Sequence, residues 1–264
     1  MSKPGYELVA EQIFYQGHNG DWTEAYLARP LGGSPPYPSV VVLHHMPGFD
    51  EWSHEVARKF AHHGYVAILP NLHYREAPDA GPDDASAAVR NAGGPIDDQV
   101  VGDVDGAATY LRAQAYTNNK VGIIGFCSGG RQVYLCACKL SHLDAAVDCW
   151  GGSVVVSGPD QLSPRRPVAP VDLTSQLQVP LLGIFGNDDA NPSPDDVNKT
   201  EVELKRLNKN YEFHRYDGAG HGFFATPRPG YRQAQAEDAW QKVWAFYERY
   251  LTAGTREPVL AGAR

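Results

Sequence analysis

A cysteine lies at the centre of a short glycine-flanked motif, Gly125-Phe126-Cys127-Ser128-Gly129, which directly follows an apolar run. Where a strand turns sharply into a helix, the central residue is held in a strained backbone conformation, so its neighbours must be small. Such a turn would project the Cys127 sulfur out of the sheet at a helix N-terminus, where the partial positive charge favours the thiolate. The motif therefore predicts a cysteine nucleophile, and the competing interpretation is a small buried thiol.

An acid and a histidine follow in two later loops: Asp188 and Asp189 come after the run LLGIF, and His221 stands in the stretch GAGHGFF. The order nucleophile, acid, histidine is that of the α/β-hydrolases. Histidine supplies a base near neutral pH, and a carboxylate would fix its tautomer and stabilise the imidazolium. We therefore predict a triad of Cys127, Asp189 and His221. Asp189 is preferred to Asp188 because it lies three residues after Gly186.

Such a site also needs donors for an oxyanion and a pocket for the substrate. An oxyanion hole requires two backbone N–H groups. We assign one to Ser128, directly after the nucleophile, and the other to Met46 in the loop HHMPGF. Trp150, which follows the run AAVDC, is predicted to line the pocket, although aromatic residues in such folds are often part of the core. Further aromatic candidates for the pocket are Phe49, Trp52 and Phe223.

Short apolar runs alternate with helical patterns along the chain. Continuous apolar runs suit strands of a parallel sheet that is covered on both faces. The alternation predicts a doubly wound, mostly parallel α/β sheet, in which reactive groups collect beyond the carboxyl ends of the strands. Together with the order nucleophile, acid, histidine, this sheet is expected to be an α/β-hydrolase fold. The predicted strands are Val40–Leu43, Val66–Leu69, Val121–Phe126, Ala145–Trp150, Leu181–Phe185 and Tyr211–Tyr216. The predicted helices are one capped by Ser53 and ending at residues 62–64, and those over 97–114, 129–140, 194–208 and 231–251.

Residues 1–264 are predicted to form one domain, because single α/β domains commonly reach this length. Within it, residues 1–30 are expected to contribute an antiparallel hairpin with its turn at His18-Asn19-Gly20. Two segments, 78–95 and 151–180, interrupt the strand–helix rhythm. Loops of this length are typical of lids or pocket walls, and a plain surface excursion is the alternative. We interpret 151–180 as a lid or pocket-wall insertion.

The composition and the termini limit the possible partners. The chain has 31 acidic and 23 basic residues, and its formal net charge of -8 argues against nucleic acid or an anionic membrane surface as a binding partner. The first residues lack the features of a signal peptide, and no segment is apolar for long enough to span a bilayer. Four cysteines without a secretion signal indicate reduced thiols and a cytoplasmic protein.

These segments resemble the dienelactone hydrolase (carboxymethylenebutenolidase) family, a cysteine-using branch of the α/β-hydrolases. From about residue 22 to residue 251, the matching stretches occur in order: HHMPGFDEWSHEVARKFAHHGYVAILPNLHYR, KVGIIGFCSGG, FGNDDANPSP and YDGAGHGFF. The resemblance implies a Cys-His-Asp triad at Cys127, His221 and Asp189, with oxyanion donors at Met46 and Ser128. It further implies hydrolysis of a small ester or lactone through a cysteinyl thioester, without a cofactor or a metal.

Two positions depart from the family's pattern. Well-studied members carry a glutamate on the loop after the third strand; here that position is His45, which we expect to form a hydrogen bond or to contact substrate. A neutral histidine cannot supply the glutamate's charge, so Cys127 is expected to be activated through His221. Those members also place an arginine for the substrate carboxylate four residues after the triad histidine. This chain has Ala225 there, and Arg228 is the candidate replacement.

Other functions could use the same residues. A thioesterase or an acyltransferase would need the same triad, but a transferase turns over only when an acceptor other than water is present. A redox sensor would use the thiol of Cys127 with a resolving cysteine, and Cys136 lies more than two helical turns away. A binding protein on a hydrolase scaffold would lack a complete triad. The sequence therefore favours an ester or lactone hydrolase.

Overall fold

One eight-stranded sheet forms the centre of the protein, in a computed structural model that describes residues 7–226 and 228–252. The strands are β1 (Leu8–Gln16), β2 (Trp22–Pro30), β3 (Tyr37–Leu43), β4 (Val66–Pro70), β5 (Thr117–Phe126), β6 (Ala145–Cys149), β7 (Leu181–Gly186) and β8 (Tyr211–Tyr216). Their order in the sheet is β1-β2-β4-β3-β5-β6-β7-β8. β1 with β2 and β2 with β4 pair antiparallel, and every other neighbouring pair is parallel. The remaining residues of the predicted 1–264 domain lie outside the described residues.

Helices cover both faces of this sheet, which confirms the predicted α/β-hydrolase fold. The α-helices are α1 (Glu51–His62), α2 (Pro82–Asn91), α3 (Asp97–Arg112), α4 (Ser128–Lys139), α5 (Pro194–Arg206) and α6 (Gln233–Tyr247). Apolar residues of α3 and α4 pack on one face, and those of α1 and α6 pack on the other. Within the described residues, none of the helices is both long enough and apolar enough to cross a membrane.

Burial on both faces explains why the central strands are apolar without interruption. In β3, Val41 and Leu43 belong to the core on the α3 and α4 side, whereas Val40 and Val42 belong to the core under α1 and α6. All four side chains are fully buried. Because β3, β5, β6, β7 and β8 are parallel, the loops after them emerge at one edge of the sheet.

The amino-terminal hairpin forms as the sequence predicts. β1 and β2 pair along their whole length, from Leu8 opposite Pro30 to Gln16 opposite Trp22. The connection is a single turn of 3-10 helix, His18–Gly20, in which Asn19 adopts a positive φ of 55°. Asparagine tolerates this conformation better than most residues, which suits it to the turn. Met1 to Tyr6 of the predicted hairpin region lie outside the described residues.

Two predicted helix details are wrong. The first helix is capped by Asp50 and not by Ser53, because the Asp50 carboxylate accepts a hydrogen bond from Ser53 N over 2.9 Å. The segment 78–95, interpreted as an irregular loop, contains α2. Pro82 at the start of α2 and two aspartates in its first turn favour a helix there, and Gly81, Gly93 and Gly94 lie beyond its two ends.

Candidate active site

Cys127 occupies the sharp turn between β5 and α4. Its φ of 57° and ψ of -118° lie in a region that is strained for a residue with a side chain. Backbone hydrogen bonds hold this conformation from both sides: Cys127 N donates to Cys149 O over 3.1 Å, and Arg131 N donates to Cys127 O over 3.2 Å. Cys127 is therefore the N-cap of α4, where the partial positive charge of the helix favours an anion.

The glycines beside Cys127 allow α4 to approach the sheet closely. A Cβ on Gly125 would lie 2.2 Å from Gly129 O, and a Cβ on Gly129 would lie 2.4 Å from Leu43 O. Both distances are far inside van der Waals contact, and the opposing atoms belong to the backbone. The glycine spacing of the motif is thus explained by the close packing of α4 against β5 and against the end of β3.

Gly129→Ala is expected to lower the free energy of unfolding by about 2 kcal/mol or more, because overpacking against a fixed backbone is costly. Urea unfolding followed by circular dichroism would measure this loss. Gly220→Ala is the matched control, since the nearest heavy atom to its added Cβ is 3.6 Å away. If the two variants had the same free energy of unfolding, the short distance between position 129 and Leu43 O would not be what excludes a side chain there.

Asp189 and His221 meet in the loops after β7 and β8. His221 Nδ1 donates to Asp189 Oδ2 over 2.8 Å, and Asn191 N donates to Asp189 Oδ1 over 2.9 Å. The Asp189 side chain is 2% exposed, whereas that of the neighbouring Asp188 faces solvent. Because Nδ1 is engaged by the carboxylate, the other ring nitrogen of His221 is the one available for its hydrogen bond with Cys127. The structure therefore brings together Cys127, His221 and Asp189.

The contact between Cys127 and His221 shifts the pKa values of the two groups in opposite directions. Burial by itself would raise the pKa of the Cys127 thiol, but the hydrogen bond and charge of His221, with the N–H groups of Ser128 and Met46, lower it below its ordinary value. Burial by itself would lower the pKa of His221, but hydrogen bonds to Asp189 and Cys127 and their charges raise it to about 10. The two opposite shifts both favour transfer of the thiol proton to the imidazole.

Two backbone N–H groups at the cleft lower the pKa of the Cys127 thiol. They are the N–H groups of Ser128, in the first turn of α4, and of Met46, in the loop after β3. The carbonyl of Met46 is bound by a residue of α2, because Ser86 Oγ donates to Met46 O over 2.7 Å. The sequence predicted Met46 and Ser128 as donors but gave no indication of Ser86, which lies on the helix that was not predicted. Paired donors beside a nucleophile are what a developing oxyanion requires.

The peptide unit that carries the Met46 N–H is also fixed through its carbonyl, which belongs to His45. Leu72 N donates to His44 Nε2 over 3.2 Å, so the ring proton of His44 is on Nδ1, which donates to His45 O over 2.8 Å. Gly48 N donates to the same carbonyl over 2.9 Å. Burial and the neighbouring His73 lower the pKa of His44 well below its ordinary value, in agreement with a neutral ring.

The side chain of His45 lies against α1. Its Nε2 is 2.7 Å from Asp50 Oδ2, and its ring packs on Trp52 with 4.8 Å between the ring centroids. Burial would raise the pKa of Asp50, but the hydrogen bonds from His45 and from Ser53 N, together with the His45 charge, lower it to about 2. Of the two roles expected for His45, the hydrogen bond is present and is made to Asp50. His45 does not contribute to the lining of the cleft described next.

Cys127 opens into a cleft of about 460 Å³, a volume that is typical of small-molecule sites. The predicted catalytic and oxyanion residues lie on its wall: Met46, Cys127, Ser128, Asp189 and His221. The segment 151–180 also contributes to the wall, through Gly152, Ser153 and Arg166. Apart from two 3-10 helices, Pro159–Gln161 and Pro170–Gln176, this segment is irregular.

Trp150, which was predicted to line the pocket, is not part of the cleft wall. Its side chain is 2% exposed and packs in the core with Phe126, Phe223 and Phe224. A φ of 43° at Trp150 marks the bend after β6, and the indole lies in the core under α1 and α6. The other aromatic candidates, Phe49, Trp52 and Phe223, are likewise absent from the wall.

Two arginines on the cleft wall were not predicted from the sequence. Arg131 is four residues after Cys127, one helical turn along α4, so its position could have been inferred from the motif. Arg166 comes from the irregular part of 151–180, where no local pattern marks it. Arg228 was expected to replace the family's substrate-binding arginine, whose position is occupied by Ala225 in this chain. Arg228 is exposed and does not line the cleft.

The other three cysteines are buried away from this chemistry. Cys136 and Cys149 are 0% exposed and Cys138 is 4% exposed. Burial raises the pKa of all three thiols, that of Cys138 to about 12. Their environment therefore disfavours the thiolate, in contrast to Cys127, and suits the packing role that the sequence indicated.

Known proteins resemble this chain over most of its length. A model of the dienelactone hydrolase family matches residues 23–251. The chain is 34% identical over 235 residues to an Escherichia coli protein provisionally named as a carboxymethylenebutenolidase, covering 88% of this chain and 84% of that protein. It is 32% identical over 253 residues to a Bradyrhizobium protein provisionally named as a 2-oxo-3-(5-oxofuran-2-ylidene)propanoate lactonase, covering 95% and 98%. A Klebsiella pneumoniae crystal structure, provisionally titled a dienelactone hydrolase, superposes with a TM-score of 0.84 at 30% identity, covering 92% of this chain and all of that one.

Proposed function

Because this chain belongs to the dienelactone hydrolase family of hydrolases, we propose that it cleaves a small ester or lactone through a thioester on Cys127. The observation that carries the proposal is that Cys127 and His221 line the same cleft, with His221 Nδ1 bound to Asp189. A thiolate beside an imidazolium is the resting state that a cysteine hydrolase needs.

In the first half of the proposed reaction, the Cys127 thiolate attacks the carbonyl carbon of the ester. The carbonyl oxygen takes up the negative charge and accepts hydrogen bonds from Met46 N and Ser128 N. When the C–O bond breaks, the His221 imidazolium gives its proton to the departing alkoxide. The alcohol leaves, or stays attached through the acyl chain if the substrate is a lactone, and a thioester remains on Cys127.

In the second half, the neutral His221 removes a proton from water, and the resulting hydroxide attacks the thioester carbonyl. The same two N–H groups stabilise the second oxyanion. Collapse of this intermediate expels the thiolate and releases the carboxylic acid, which restores the thiolate–imidazolium pair. Asp189 holds the His221 ring in one orientation and stabilises its charged form throughout. These steps need no metal or cofactor.

The substrate is proposed to be a small molecule, in keeping with a cleft of about 460 Å³. A five-membered lactone that carries a carboxylate, of the kind named for the Bradyrhizobium relative, is one candidate. The four free thiols also suit the reducing cytoplasm, which is the compartment we propose for the enzyme.

Trapping the acyl group tests this proposal. When the protein is mixed with excess p-nitrophenyl acetate and quenched in acid while turnover is in progress, peptide mass spectrometry should find the acetyl group on Cys127. Neutral hydroxylamine should remove it, because it cleaves thioesters. An acetyl group on any other residue, with Cys127 unmodified, would contradict the proposed intermediate.

A further inference from the structure

Arg166 is a half-buried arginine on the cleft wall whose guanidinium has no partner among residues 7–226 and 228–252. Within those ranges, no hydrogen bond from this group is found and no carboxylate oxygen lies within 4.0 Å of it. The nearby arginines are different. Arg131 donates to both oxygens of Asp97, over 2.6 and 3.1 Å, and Arg165 pairs with Glu76 and donates to Gly94 O over 2.7 Å.

The position of Arg166 is fixed by its surroundings. Ser163 and Arg166 exchange backbone hydrogen bonds of 2.9 and 3.0 Å, which close a tight turn. This turn is attached to the start of α3, because Asp97 N donates to Arg165 O over 2.9 Å. The guanidinium packs directly on Gly94, where an added Cβ would lie 2.0 Å from Arg166 Nη2. The charged group is therefore held at the wall before any substrate binds.

Arg166 is the cation of this wall that has no ion-pair partner among the described residues. The charge of Arg131 is neutralised by Asp97, which is itself buried. The wall carboxylate of Asp189 is engaged by His221, and that of Asp196, which lines the space next to the cleft, accepts hydrogen bonds from Ser193 N and Oγ. Burial and the charge of Arg131 lower the pKa of Arg166, which shows that its surroundings disfavour the unpaired cation. A ligand that brings a negative charge would remove this penalty.

The cleft continues past Arg166 into a second chamber of about 380 Å³. The two spaces share Arg131, Ser153, Arg166 and Asn191, so the guanidinium stands where they join. A substrate whose carbonyl lies at Cys127 can therefore extend toward Arg166.

We propose that Arg166 is a specificity-determining residue that binds a carboxylate carried by the substrate away from its scissile carbonyl. A guanidinium presents parallel N–H groups that match the two oxygens of a carboxylate. The inference rests on the proposed ester or lactone hydrolysis at Cys127. The group that binds the substrate carboxylate would then belong to the 151–180 segment and not to the loop after His221. In that loop, Ala225 is buried and Arg228 is exposed outside the cleft.

A matched pair of esters tests this assignment. Mono-p-nitrophenyl glutarate carries a free remote carboxylate, and its methyl ester lacks that charge but releases the same p-nitrophenol. The wild type should have the higher kcat/KM for the charged ester. Arg166→Gln should lower the charged-to-neutral ratio of kcat/KM by about 10- to 100-fold, the range expected for hydrogen bonds between charged groups. Arg166→Lys keeps the positive charge but loses the parallel N–H groups of the guanidinium. Its charged-to-neutral ratio should therefore lie between those of Arg166→Gln and the wild type.

Arg228→Gln is the control, because it makes the same chemical change on an arginine outside the cleft. It should leave the ratio at the wild-type value. The assignment would be overturned by a ratio that falls in Arg228→Gln, or by an Arg166→Gln variant that loses both esters equally, since that would indicate a structural role.

A binding measurement separates this inference from the proposed chemistry. In the Cys127→Ala background, calorimetry should detect glutarate binding that weakens at least about tenfold when Arg166→Gln is added. If no ester were turned over by the wild type but this binding depended on Arg166, the proposed function would fail and the anion site would stand. If esters were turned over but glutarate bound independently of Arg166, the anion site alone would fail.

Discussion

Cys127→Ala is expected to lower kcat/KM for p-nitrophenyl acetate by about 10⁴-fold or more, because the covalent route disappears with the sulfur. His221 and the two oxyanion donors would remain, so the residual rate would come from direct attack by water. Initial rates of p-nitrophenol release measure the loss, and circular dichroism shows whether the variant is folded.

Cys138→Ala is the matched control for this experiment. It removes a sulfur from the same helix, α4, at a site that is buried and not part of the cleft. It should keep wild-type activity within about threefold while losing about 1 kcal/mol of stability through the lost packing. Wild-type kcat/KM in Cys127→Ala would eliminate the thioester mechanism, whatever the effect of the control.

The strands were the part of the fold that the sequence predicted best, because burial on both faces leaves a continuous apolar signal. The fully buried β7 begins at the predicted Leu181 and ends one residue after the predicted Phe185. β5 begins four residues earlier than the predicted Val121, and the extra residues include exposed Asn119 and Lys120. A strand end that projects into solvent carries no apolar pattern, so its length could not be inferred from periodicity.

Site residues close to strand ends could be predicted, and those that depend on distant contacts could not. The turn at Cys127 is a local feature, since glycines two residues away on each side create it. Arg166 reaches the cleft only because its segment is held by residues 76–97. No spacing in the sequence encodes that contact, so the charge on the cleft wall emerges only from the fold.

His45 and Trp150 show a second limit, which concerns side-chain direction. Both stand in loops that form the site, but adjacent residues of a turn point to different sides. Met46 presents its N–H to the cleft, whereas the His45 side chain turns to Asp50. Trp150 turns into the core. The sequence identified the correct loops, but it could not determine which side chains face the cleft.

Asp189→Asn is expected to reduce kcat/KM for the aryl ester by about 10³- to 10⁴-fold, with little change in the fold. An asparagine amide can donate a hydrogen bond to His221 Nδ1, which would favour the tautomer with the proton on the nitrogen that serves Cys127. It also lacks the charge that stabilises the imidazolium. Asp188→Asn is the matched control, because the neighbouring carboxylate is exposed and should leave the activity unchanged.

The pH dependence of alkylation gives a second readout for Asp189→Asn that a structural defect would not produce. In the wild type, the bonds to Asp189 and Cys127 raise the pKa of His221 to about 10, and the imidazolium lowers the pKa of the Cys127 thiol. Without the carboxylate, the pKa of His221 should fall. Cys127 then loses its cationic partner near neutral pH, so the pKa of its thiol should rise.

The rate of iodoacetamide labelling at Cys127, measured against pH, should therefore have its midpoint at a higher pH in Asp189→Asn than in the wild type or in Asp188→Asn. The direction of this shift is decisive. A variant with a merely loosened site would expose Cys127 and label faster at every pH, whereas loss of the imidazolium slows labelling near neutral pH and leaves the plateau at high pH. If the midpoint did not move while activity fell, Asp189 would act only by orienting the ring, and the thiolate would be stabilised by Met46 N, Ser128 N and the end of α4.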